Sequence, residues 1–116
     1  MIEPDTPGVI VIARVRCRPE QRADLVALLG RLQDASRRDE GCLRYGFAAA
    51  IEDDHAFVAV EEWASKDALA AHLRQPHISE FARDLPAAVD APPELAMHEI
   101  AETGPLPFAQ RPSLLT

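Results

Sequence analysis

The chain has 116 residues (12.7 kDa), enough for one hydrophobic core and too few for two. Hydrophobic residues at 47% and charged residues at 27% exclude the disordered and collagen-like classes. Twelve Lys and Arg against nineteen Asp and Glu leave a net charge of −7, so no basic footprint exists for a nucleic-acid backbone.

In chain order, the opening "MIEPDTPG" places acids and two prolines before any apolar run, the wrong order for a secretory signal. No apolar run reaches the ~20 residues needed to span a bilayer, and a cytoplasmic location is expected. Residues 8–18, "GVIVIARVRCR", alternate Val9, Val11, Ala13, Val15 and Cys17 against Ile10, Ile12, Arg14, Arg16 and Arg18, the period of a half-buried strand. The period then changes. Leu25, Leu28, Leu29 and Leu32 form a helical stripe that opens near Pro19 and Glu20 and stops near Gly41. "CLRYGFAAAI" places Leu43, Tyr45, Phe47, Ala49 and Ile51 on one face of a second strand. "EDDH" turns the chain, and "AFVAVEEWA" forms the third strand of a hairpin. Ser65 is placed to cap a second helix, Pro76 interrupts it, and a further helical stretch carries Ile78, Phe81, Ala82 and Leu85. "PELAMHEIAE", residues 93–102, predicts a fourth strand. Cys17 and Cys42 have no CxxC or Cys/His spacing and read as small buried hydrophobes.

The order βαββαβ is that of an α+β, ferredoxin-like fold, a four-stranded antiparallel sheet with its helices on one face. The other face keeps apolar positions from several strands, so a homodimer is expected to cover it. Four segments, "RPEQRADLVALL", "DEGCLRY", "FVAVEEW" and "ALAAHLRQPHISEF", occur in an order that resembles the antibiotic biosynthesis monooxygenase family of dimeric α/β barrels, and its small quinol monooxygenase-like members in particular. The resemblance runs from about residue 8 to 102. It implies a family domain over residues 1–103 and a dimer with a pocket between sheet and helices in each subunit. In active members it implies oxygenation of a phenolic or hydroquinone-type small aromatic substrate with no cofactor and no metal. The same fold also hosts proteins without a reaction, so a non-catalytic dimeric small-molecule-binding or stress-associated domain is the alternative.

Cofactor-free oxygenation needs a base and a dry, oriented cavity, because deprotonation makes the substrate a better electron donor to dioxygen. His72, on the face of the second helix that carries Leu69, has the side chain suited to that role near neutral pH; a core histidine satisfied by a carboxylate or carbonyl is its bland counterpart. Glu61 shares a strand face with Phe57, Ala59 and Trp63, where an unpaired carboxylate is costly, so it is expected to orient His72. Trp63, Tyr45 and Phe81 are expected to line the cavity. Arg14 is a candidate for a substrate oxyanion or an ion pair, and His77 a helix-start candidate for substrate binding; His98 falls on strand four, at the expected dimer face. The haem-degrading relatives use an asparagine on strand one and a histidine after the second helix's break. This chain has no Asn, and Ala82 and Arg83 stand where that histidine is expected, which argues against haem degradation. Gly46 and Ala48 to Ala50 are small for the second strand and suggest a wider pocket or an irregular strand.

Prolines 105, 107 and 112 forbid regular structure in the tail, residues 104–116. Leu106, Phe108, Leu114 and Leu115 give it apolar groups to bury, so an extended arm across the partner subunit is expected.

Overall fold

The structure is a computed structural model and describes residues 6–107, so most of the proline-rich arm, residues 108–116, lies outside the described residues. Strands β1 (Val9–Arg16), β2 (Cys42–Ala49), β3 (Ala56–Trp63) and β4 (Glu94–Glu99) form one antiparallel sheet in the order β2-β3-β1-β4. Helices α1 (Arg22–Ser36), α2 (Lys66–Leu73) and α3 (Pro76–Asp84) complete the ferredoxin-like fold.

The alternation of β1 sets the two faces. Val9, Val11, Ala13 and Val15 are buried, and in register with them on β3 stand Trp63, Glu61, Ala59 and Phe57. The stripe Leu25, Leu28, Leu29 and Leu32 of α1 closes over this face as the periodicity predicts, joined by Cys17, Leu85 and Val89 in one cluster and by Tyr45 and Leu69 in another. Both cysteines are free. Cys42 packs with the core, where burial and then the nearby Glu61 and Asp39 carboxylates push its thiol up to about 11, so it stays protonated at neutral pH.

Local signals shape the connections between elements, although α1 stops at Ser36, before the glycine at which the sequence expects it to end. Gly41 has φ +81, and a Cβ there would stand 2.4 Å from the Ala68 Cβ, so this turn requires glycine twice over. The Ser65 hydroxyl accepts from the Ala68 N–H at 3.1 Å and caps α2. Pro76 opens α3 at its first position and separates it from α2.

Strand two departs from the simple alternation. Its irregularity falls between Cys42 and Arg44 rather than at Gly46, and it turns Cys42 onto the core face opposite Trp63. The pairing then runs unbroken from Arg44 to Ala49, and Ile51, fully exposed, belongs to the turn and not to the strand. The outer edge of β2 is covered by α1: Arg37 Nε donates to the Tyr45 carbonyl at 2.8 Å, and the Phe47 N–H donates to Gln33 Oε1 at 2.9 Å.

The opposite edge is left open. Leu95 and Met97 of β4 pair with Ala13 and Val11 and so lie on the helical face, yet they are 68% and 44% exposed. The helices pack over β2 and β3 and not substantially over β4. A trough remains between β4, the helices and the segment 85–93, and it is there that a small molecule has room.

Candidate functional site

The trough is a cavity of about 820 Å³, within the range that holds a small ligand. Val11, Leu32, Leu69, Phe81, Val89 and Met97 are among its walls, and Leu85 to Pro93 bounds one side. Its lining is overwhelmingly apolar. Of the polar residues that reach it, Tyr45, Glu61 and His72 are buried, whereas Arg18 and Asp90 are exposed.

His72 lies in the last turn of α2 and is 2% exposed. Its ring stacks on Trp63, with centroids 4.4 Å apart and planes tilted by 36°, and meets the edge of Tyr45 at 5.8 Å. Nδ1 is paired with Asp39 Oδ2 at 2.7 Å. Asp39 follows α1, in a turn where its N–H donates to the Ser36 carbonyl and its own carbonyl accepts from the Cys42 N–H. Among the described residues Nε2 of His72 has no hydrogen-bond partner, and only Ser36 Oγ is a fully buried side-chain polar atom without one. His72 is part of the cavity wall, and Nε2 is the ring nitrogen that Asp39 leaves free. Burial drives the His72 pKa below the usual histidine value, against the opposing pull of Asp39, so the ring is held neutral, with a proton on Nδ1 directed at the carboxylate and a lone pair on Nε2.

Glu61 is not the partner of that histidine. Its Oε1 accepts from Trp63 Nε1 at 3.0 Å, a pairing allowed because residues i and i+2 share a strand face. Burial pushes its carboxyl above the usual range, opposed by the Trp63 N–H and the Tyr45 hydroxyl. Burial, with the Glu61 charge added, likewise pushes the Tyr45 phenol up and keeps it protonated. A carboxyl with a raised folded-state pKa contributes stability that is complete below its unfolded value and lost as pH rises through the folded one. Glu61→Gln should therefore raise the thermal midpoint at neutral and mildly alkaline pH, and the gain should shrink as pH falls toward about 4. A gain that is constant across this range would show that ionisation of Glu61 is not its source.

The remaining candidates divide. Phe81 is half-buried and lines the cavity. Trp63 is fully buried and stands behind His72 and Glu61 without reaching the cavity wall. Arg14 is exposed on the opposite face of the sheet, between Val58 and Glu94 in register, because β1 alternates and its inner positions are the odd-numbered ones. It has no place in this cavity. His77 starts α3 as the sequence indicates, but it turns toward Asp39, with Nε2 2.8 Å from Oδ2, and not into the cavity. His98 is exposed on the outer face of β4, opposite Ile10. Sequence reasoning missed Asp39, which lies in the turn between α1 and β2, two residues before Gly41, and belongs to no motif, and it missed Arg18 and the 85–93 wall.

Asp39, His72 and His77 thus bring three metal-ligating atoms within 4.8 Å of one another, the one such group among the described residues. No helix among them is long and apolar enough to cross a membrane.

A family model described as "Antibiotic biosynthesis monooxygenase" matches residues 8–84. Over 95 residues the chain is 29% identical to sll1783 of Synechocystis, a protein described as uncharacterized; the match covers 82% of this chain and 65% of that protein's length. It is 34% identical over 76 residues to Rv0793 of Mycobacterium tuberculosis, provisionally named a monooxygenase, covering 66% of this chain and 74% of that one. The solved structure of Rv0793 superposes with a TM-score of 0.77 at 26% identity, over 84% of this chain and 98% of that chain. A conserved protein from Methanosarcina mazei gives the same score at 24% identity, over 82% and 94%, and shares the fold.

Proposed function

The chain belongs to the antibiotic biosynthesis monooxygenase family, and we propose that it oxygenates a phenolic or hydroquinone-type small molecule in the cavity beside His72, with no bound cofactor. One observation carries this reading above the rest. Asp39 engages Nδ1 of His72, which leaves Nε2 unpartnered at the wall of an apolar cavity, the disposition a general base requires.

In this proposal the substrate hydroxyl gives its proton to His72 Nε2, and Asp39 stabilises the imidazolium that forms. The phenolate is then a far better electron donor to dioxygen than the phenol. The substrate supplies the electrons itself: one oxygen atom enters it and the other leaves as water. The apolar walls around His72 offer few hydrogen bonds to the anion and leave it poorly solvated, which favours its oxidation. Glu61 and Tyr45 are the buried polar groups left to hold the substrate hydroxyl in reach, a role different from orienting the base. We further propose that the chain works as a homodimer joined through the outer face of the sheet, where Ile10, Ile12, Val58 and Val60 stand together.

Oxygen consumption with a panel of hydroquinones and anthrone-like phenols tests the assignment. Uptake above the uncatalysed rate is expected for at least one member, with one oxygen atom from labelled dioxygen in the product. If no member is consumed while one or more bind in the cavity, the non-catalytic binding domain is the correct reading.

A further inference from the structure

Proton transfer at Nε2 does not account for His77. The Asp39 carboxylate would orient His72 equally well alone, yet one of its oxygens is shared between two imidazoles, at 2.7 Å from His72 Nδ1 and 2.8 Å from His77 Nε2. Asp39 has no Lys or Arg partner among the described ion pairs. The convergence depends on the helix break. In one continuous helix, residues five apart point about 140° away from each other, so positions 72 and 77 would not meet on a single carboxylate. Gln75, extended at φ −72 and ψ 148, and Pro76 at the first position of α3 redirect the chain, and His77 comes round to face the same oxygen. The three side chains are 10% (Asp39), 2% (His72) and 22% (His77) exposed, which leaves an approach from the His77 side.

Two imidazole nitrogens and one carboxylate oxygen from three separate segments form a donor set suited to zinc, cobalt, nickel or ferrous ions and unsuited to calcium or magnesium, which prefer oxygen. Ligand atoms around a tetrahedral ion of this class stand roughly 3.3 Å apart, so the Asp39 oxygen must draw back from each ring by about 0.5 Å, within a group whose three ligand atoms already lie within 4.8 Å of one another. We propose that Asp39, His72 and His77 form a binding site for a divalent first-row transition-metal ion, with the fourth position facing solvent beside His77.

Binding has a defined consequence for the rings. Coordination through Nδ1 takes from His72 the nitrogen that pairs with Asp39, so its ring proton moves by way of water to the other nitrogen. His72 then carries its proton on Nε2, the nitrogen that Asp39 leaves free. A metal-loaded site cannot accept a proton from a bound hydroxyl there, so the ion would switch off the base. The binding itself does not depend on the phenol reading.

The test uses the untagged full chain, stripped with a chelator and titrated with Co²⁺ and then Zn²⁺. One equivalent of Co²⁺ should bind with visible d–d absorption and be displaced by Zn²⁺. His77→Ala and Asp39→Asn should each weaken binding by more than about tenfold, since loss of a supporting contact alone costs that much at established sites. His98→Ala, on the exposed outer face of β4, should leave it unchanged. Should His77→Ala unfold, the ring ¹⁵N resonances of the wild-type protein decide: zinc should shift those of His72 and His77 and spare those of His55 and His98. Co²⁺ affinity equal in wild type, His77→Ala and Asp39→Asn, or zinc shifts confined to other histidines, overturns the site.

Discussion

His72→Ala is expected to slow oxygen uptake on an accepted hydroquinone by about 10² to 10⁴-fold, the usual loss when a positioned general base is removed. The loss should fall on kcat. Nε2 acts on the hydroxyl proton during the reaction, whereas the apolar walls that hold the ring system, among them Leu32, Leu69 and Phe81, are untouched by the change. Truncation also removes the ring that stacks on Trp63 and leaves Asp39 with His77 alone, so some loss of stability accompanies it. His72→Gln separates the two effects, because it fills most of the space and donates to Asp39 but cannot take up a proton. Both variants should therefore lose turnover while glutamine regains stability. If His72→Gln keeps activity within about threefold of wild type, His72 is a packing residue and the proton goes elsewhere, with Glu61 the next buried acceptor on the cavity wall.

The fold was legible wherever local chemistry repeats. The alternation of Val9 to Val15 and the stripe Leu25 to Leu32 each report a single face against one core, and Gly41, Ser65 and Pro76 act through their own backbone or hydroxyl. The site was legible in part. His72 and Glu61 stand out as polar groups on apolar faces, and both prove buried against the cavity. Their pairing was not legible, since Asp39 is 33 positions from His72 and reaches it only after α1 has turned the chain back, while Glu61 is occupied by a tryptophan two residues along its own strand. The exposure of β4 was hidden for a related reason. Leu95 and Met97 alternate like core positions, and only the placement of the helices over β2 and β3 leaves them bare.

The outer face of the sheet carries the other large expectation. Gly46, Val60, Ile12 and Ala96 stand in register across all four strands, an apolar row with small residues at its ends and Val60, 47% exposed, near its centre. Small ends let a second sheet approach closely, and a twofold interface would place each of these residues in both subunits at once. Val60→Glu tests this. A carboxylate buried without a partner costs at least about 2 kcal/mol even on mutational scales, and a symmetric interface contains it twice. The expected outcome is dimer dissociation constants raised by about 10³-fold or more, read by analytical ultracentrifugation across micromolar concentrations. The helical face and the His72 environment lie on the other side of the sheet, so monomeric Val60→Glu should retain the near-ultraviolet signal of Trp63 packed on His72. A wild-type chain that sediments as a monomer at tens of micromolar, or a variant that dimerises as well as wild type, would remove this face as the interface and return its row of aliphatic side chains to solvent.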